Sequence, residues 1–243
     1  MSYLDNITVG KIPLNHLMLL YGVAGVGKST FASRAPRPIF LPTEDGTSHM
    51  DVSRLPRPKT WDEVLGMITE LIRGKHDYET LIIDTLDGLE PTLFKHLTKG
   101  KCAIEDIGGG YGRYVGIVNG EWLRLMNGLS LLRSKMNIII LAHAEIKKFD
   151  DPVNNQPYDR YQLKLYNQKS SQLWKEYVDC LLFANYDVVT KKDGSKVRAF
   201  GFGERVLFTE HRPSFDAKNR LGLPFELSLD YDALTSSIGG VNE

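Results

Sequence analysis

Three glycines, a lysine and two hydroxyl residues fall at fixed spacing in Gly22-Val23-Ala24-Gly25-Val26-Gly27-Lys28-Ser29-Thr30. The first eight residues fit G-x-x-x-x-G-K-[ST] in full, a pattern whose glycines let successive backbone N–H groups turn inward around a phosphate. Lys28 supplies a mobile cation for terminal phosphate oxygens, and Ser29 offers a hydroxyl to magnesium. The expected ligands are therefore ATP and Mg2+, held by residues 22 to 30. A second acidic group must hold the metal through water, and Asp84, at the end of the apolar run Leu81-Ile82-Ile83, is placed to do so. The next residue is Thr85, not the glutamate that many ATPases carry there, so the base must come from elsewhere. Glu44 is the preferred candidate, with Asp45 and Asp87 competing.

These residues need a scaffold that brings them to one edge. Leu14 to Tyr21 reads as a strand, the glycines as a loop and Ser29 to Ala35 as a helix closed by Pro36 and Pro38. Pro38 to Thr43 gives a second strand, Thr60 to Arg73 a helix, Glu79 to Asp84 a buried strand, Asn119 to Lys135 a helix and Asn137 to Ala142 another buried strand. Beyond residue 158 strands dominate: Arg160 to Tyr166, Val178 to Asp187 and Glu204 to Thr209, with a short helix at Lys169 to Tyr177. A hairpin is expected about Asp193-Gly194. This order predicts an α/β fold, a doubly wound, mainly parallel sheet extended by antiparallel C-terminal strands. One domain over 1–243 is expected, with a lead-in at 1–13, a core from about 14 to 231 and a tail at 232–243.

Composition agrees with one sizeable core, since 42% of the 243 residues are hydrophobic. No apolar run reaches the roughly 20 residues of a membrane span, so a cytoplasmic protein is expected. Two distant cysteines, Cys102 and Cys180, give neither a disulfide framework nor a zinc site. The formal net charge is zero, yet Lys95 to Lys169 holds 12 Lys and Arg against 7 Asp and Glu, so the middle of the chain is basic.

The segment 22–30, Glu44, Leu81-Ile82-Ile83-Asp84 and Ile138-Ile139-Ile140-Leu141-Ala142-His143 together resemble the RecA family of recombinases. Within it, the chain looks most like small phage single-strand annealing proteins built on a bare RecA core. The resemblance implies that His143 senses the γ-phosphate, at a position where the family usually has an amide. It also implies that Lys218 and Arg220, flanking Asn219 and followed by Pro224, reach ATP on a neighbouring subunit of a filament or ring. Extended backbone would send both cations to one side. Two loops correspond to the family's DNA-binding loops. The first, Ile107 to Gly116, carries Tyr111, Arg113 and Tyr114; the second, Glu145 to Tyr161, carries Lys147, Lys148 and Arg160. Aromatics stack on bases and cations track phosphates.

The expectation is an ATP-hydrolysing, single-stranded DNA-binding recombinase or annealing protein. It would act as a homo-oligomer in a bacterial host, with a single-strand-binding protein as a further partner. Two alternatives stay open: a small-molecule phosphotransferase with Ile107 to Gly116 as a lid, and a regulatory ATPase that assembles without touching DNA.

Overall fold

A computed structural model describes residues 3–10, 14–151, 156–187, 189–193, 196–200 and 203–238. β1 (Leu17–Gly22) leads through the glycine loop into α1 (Lys28–Ala32), followed by β2 (Pro38–Pro42) and the short β3 (Ser53–Arg54). Next come α2 (Trp61–Arg73), β4 (Thr80–Asp84), α3 (Leu86–Thr98), a 3-10 segment at Ile104–Gly109, α4 (Tyr114–Leu132) and β5 (Asn137–Asp150). The remaining elements are β6 (Pro157–Leu163), α5 (Gln168–Tyr177), β7 (Cys180–Tyr186), β8 (Val189–Asp193), β9 (Lys196–Phe200), β10 (Arg205–Phe208), β11 (Lys218–Asn219), β12 (Glu226–Ser228) and α6 (Tyr231–Ser237).

The main sheet runs β12-β10-β7-β1-β5-β4-β2-β3, with β6 on β5 and β11 on β7. From β7 to β3 every neighbour is parallel, and β6, β10, β11 and β12 are antiparallel additions. This is the doubly wound, mainly parallel sheet with antiparallel additions that the element order predicts. Alternation along β1 shows why helices cover both faces. Leu17, Leu19 and Tyr21 join one apolar cluster with α2, α3, α4 and α5, while Met18 and Leu20 join the other with Phe31 of α1 and Leu234 of α6. Strands buried on both faces carry no polar alternation, as in parallel sheets generally. On the four-helix face, Trp122 meets Trp61 and Trp174 edge-on at 5.5 and 5.4 Å between centroids, which joins α2, α4 and α5.

Parallel strands all end at one edge, so β1, β4, β5 and β2 deliver the loop glycines, Asp84, His143 and Glu44 to the same side. Four sequence expectations are corrected. α3 was not foreseen, because Pro91 interrupts a helical spacing that Leu86, Leu89 and Leu93 otherwise show. Thr85 caps it by accepting from the Gly88 N–H at 3.2 Å. α4 starts at Tyr114, five residues before the expected Asn119, because the glycines end at Gly112 and nothing after them opposes a helix until Gly116. Residues 145–161 are chiefly the two arms of the β5–β6 hairpin and not an irregular loop. α6 occupies part of the expected tail, with Tyr231 and Leu234 buried. β8 and β9 pair as the Asp-Gly signal predicts, although Gly194 and Ser195 lie outside the described residues. Among the described residues no helix is long and apolar enough to cross a membrane.

Candidate functional site

The loop between β1 and α1 adopts backbone angles that glycine tolerates. Gly25 and Gly27 have φ of +75° and +101°, and neither would be comfortable with a side chain. Gly22 is required for a different reason. A Cβ there would lie 2.2 Å from the Ala184 carbonyl oxygen on β7, closer than any real contact. The loop is tied down further by the Tyr186 hydroxyl, which donates to the Gly25 carbonyl at 3.0 Å. Val26 anchors it in the core, while Ala24 stays exposed.

Lys28 is buried, and its Nζ donates to the carbonyls of Gly22 and Val23 at 3.1 and 3.0 Å. Burial depresses its pKa, opposed by the carboxylates of Asp84, Asp87 and Glu44. Ser29 Oγ donates to Asp84 Oδ2 at 2.7 Å, so the two expected magnesium ligands sit in contact. Burial raises the Asp84 pKa, against the Ser29 hydrogen bond. A hydroxyl beside a carboxylate, with room for water, is an oxygen donor set that suits Mg2+. The residues present therefore fit both the triphosphate and the metal.

These groups border a cleft of about 280 Å³ lined by Lys28, Ser29, Thr30, Glu44, Asp84 and His143, among others. Glu44 is exposed and stands 3.4 Å from the Thr85 hydroxyl. Asp45 is also exposed and pairs with Arg57 at 3.5 Å. Asp87, the third candidate base, has both oxygens engaged by His143: the backbone N–H donates at 3.0 Å and ring Nδ1 lies 2.9 Å away. Burial opposes ionisation of Asp87, yet those bonds outweigh it and hold the carboxyl below its ordinary range. The carboxylates of Glu44 and Asp87 and a ring nitrogen of His143 lie within 4.8 Å of one another.

Several expected residues land elsewhere. Arg160 is 7% exposed and forms an ion pair with Asp216, so it is withdrawn from any surface that meets phosphates. It lies on an inward position of β6, where a buried cation must be paired. Lys218 lines the same hollow as Arg220, but its ammonium is already engaged by backbone carbonyls. Its Nζ donates to the carbonyls of Lys175, Glu176 and Val178 at 3.1, 2.8 and 2.6 Å, closing the C-terminal end of α5, whereas Arg220 is exposed. Tyr114 opens α4 and is half-buried, with its ring 6.3 Å from that of Tyr166. Lys147 pairs with Glu145 at 2.7 Å, and Lys148 is exposed on the same strand. Tyr111 is 96% exposed, and Arg113 is exposed beside it with one bond to the Gly108 carbonyl at 3.3 Å.

Three features of the site have no motif to announce them. Asp87 as the partner of His143 is one, Tyr186 on the loop is another, and Arg205 is the third. Arg205 is the β-partner of Tyr186 across β10 and β7, and its Nη1 lies 2.7 Å from where a Cβ on Gly27 would be. Only the sheet brings residues so distant in the chain to one loop.

A glycine loop on a central parallel strand and an adjoining hydroxyl–carboxylate pair, on a sheet with antiparallel additions beyond β7, define a P-loop ATPase domain. The chain belongs to the AAA domain family, whose model matches residues 15–221. Among solved structures it is similar to the crystal structure of the RadB recombinase, at 14% identity and a TM-score of 0.43, with 82% of each chain covered. Comparison with curated proteins finds no match.

Proposed function

We propose that this chain hydrolyses ATP in a homo-oligomer and binds single-stranded DNA, as a recombination or annealing protein working in a bacterial cytoplasm. The observation that carries the ATPase reading is the Ser29–Asp84 contact of 2.7 Å beside the buried Lys28 at a glycine loop. Lys28 exchanges its bonds to the Gly22 and Val23 carbonyls for phosphate oxygens, and Glu44 accepts a proton from the attacking water. Ser29, and Asp84 through water, would hold magnesium, which would supply charge neutralisation at the phosphates. Arg220, exposed and without an internal ion pair among the described residues, is the cation offered to a neighbour's nucleotide. Lys218 takes no part in that contact.

The DNA reading is supported by Tyr111 and Arg113, held outward on a turn of glycines with positive φ at Gly108, Gly109, Gly110 and Gly112. Lys148 and Lys147 on the β5–β6 hairpin add charge, and Arg160 does not. An aromatic with both faces in solvent can stack on any base, which predicts binding without sequence preference.

The test is the ATPase rate with and without single-stranded DNA, with assembly state followed in parallel. Stimulation by DNA and loss of stimulation in a Tyr111→Ala/Arg113→Ala double variant support the reading. Glu44→Gln should bind ATP and hydrolyse it on the order of a hundredfold more slowly. An unstimulated wild type that assembles with ATP points to the regulatory ATPase, and phosphate transfer to a small acceptor points to the phosphotransferase.

A further inference from the structure

His143 lines the phosphate cleft, but its ring is not free to choose its protons. Asp87, on the first turn of α3, accepts from the His143 backbone N–H with one oxygen and lies 2.9 Å from Nδ1 with the other. The Asp87 side chain is only 8% exposed, and an ionised carboxylate can only accept, so Nδ1 carries the hydrogen. In the neutral ring Nε2 is then a bare acceptor. A γ-phosphate oxygen is also an acceptor, and two acceptors cannot share a hydrogen bond. The amide that the resemblance places at this position donates with no such requirement.

We propose that Asp87 is a positioning residue that makes γ-phosphate recognition by His143 proton-coupled. The ring engages the terminal phosphate only by taking a proton at Nε2, so a nucleoside triphosphate binds with uptake of a proton that a diphosphate does not demand. The one bond formed is N–H at Nε2, with a proton given up by solvent; no bond of the nucleotide changes, and the hydrogen stays between Nε2 and the phosphate. The charged groups near the ring are Asp87 on α3, Glu44 in the segment after β2, Asp84 at the end of β4 and Lys28 at the start of α1. On the hairpin side, the backbone N–H of Lys164 donates to the His143 carbonyl at 2.9 Å, and Glu145 follows two residues along β5.

The proposal rests on the reading of the cleft as an ATP site, and the test separates the two. The full chain with Mg2+ is titrated by calorimetry with ADP and with a non-hydrolysable ATP analogue. Two buffers of unlike ionisation enthalpy at pH 7.5 give the number of protons taken up. The wild type should take up close to one more proton with the analogue than with ADP, after subtracting the same difference for His143→Gln, which removes the nucleotide's own titration. Its preference for triphosphate should fall about tenfold per pH unit above neutrality, as linkage of one proton requires. Asp87→Asn is the decisive variant. Its carbonyl still accepts from the backbone N–H, while its amide donates to Nδ1 and moves the ring hydrogen to Nε2. That variant should keep the triphosphate preference and lose both the extra proton and the pH slope. Equal uptake in the wild type and His143→Gln, or an unchanged slope in a folded Asp87→Asn, overturns the proposal. Wild-type affinity for both nucleotides in Lys28→Ala overturns the ATP-site reading instead.

Discussion

Replacing Lys218 by methionine removes an ammonium group and keeps most of its aliphatic stem. In the wild type, Nζ answers three carbonyls at the C-terminal end of α5, two of them at partly buried positions. A cation there also meets the negative end of the helix dipole. Partly buried dipole contacts of this kind are worth up to about 2 kcal/mol, and a hydrogen bond involving a charged group about 1.5–3 kcal/mol before the cost of ordering the side chain. The freed carbonyls recover water only in part, because Lys175, Val178 and Ala217 crowd the site. Burial already depresses the Lys218 pKa, followed by repulsion from Arg220, so some of the gain is offset by desolvation. The net loss should be about 1–2 kcal/mol. At about 2–4 °C per kcal/mol for a chain of this size, the thermal midpoint should fall by roughly 2–8 °C. Arg220→Ala, at an exposed position, should stay within about 0.5 kcal/mol of wild type and lose hydrolysis only where subunits meet. Urea unfolding with unchanged m-value, beside ATPase assays across protein concentration, reads both effects. If Lys218→Met keeps wild-type stability and loses hydrolysis in parallel with Arg220→Ala, the helix-capping role is wrong and both cations belong to the interface.

Gly22→Ala should lower stability by about 2–3 kcal/mol or more, because the added Cβ pushes β1 and β7 apart at the Ala184 carbonyl; an unchanged denaturation midpoint would count against the strand spacing described above. Glu90 is buried beside Asp87 and Glu145, and burial first, then those charges, pushes its pKa from 4.5 up to about 8. Between those values the folded state keeps a proton that the unfolded chain has released, so stability should fall as pH rises through that window. Glu90→Gln should flatten this decline in midpoints taken at pH 5.5, 7 and 8.5, and parallel curves would refute it. Tyr186→Phe deletes the bond to the Gly25 carbonyl, worth about 1 kcal/mol, and should weaken ATP binding roughly fivefold by calorimetry; full affinity would mean that the loop holds its shape without that hydroxyl.

The phosphate site was legible in the residue order because its parts are local. Glycine spacing, the lysine and the hydroxyl follow one another within nine residues, and Asp84 is marked by the buried run before it. Continuous apolar runs likewise disclosed β1, β4 and β5, and a period of 3.6 disclosed α2, because a strand covered on both faces shows no alternation while a helix buried on one face does. What the order of residues could not disclose is which charged groups find partners inside the fold. Arg160, Lys147 and Lys218 look alike as cations in the residue order. Arg160 is taken by Asp216 across 56 positions, Lys147 by its near neighbour Glu145 and Lys218 by the end of α5. Arg113 and Arg220 remain exposed. Such pairing is compulsory wherever a strand or helix turns a charge inward, because an unpaired buried charge costs several kcal/mol, on the order of a whole fold's stability. The same holds at the active edge. Sequence placed His143 directly after a buried apolar run beside a P-loop, and only the packing of α3 against β5 decided that Asp87 holds its ring and so fixes which nitrogen can meet a phosphate.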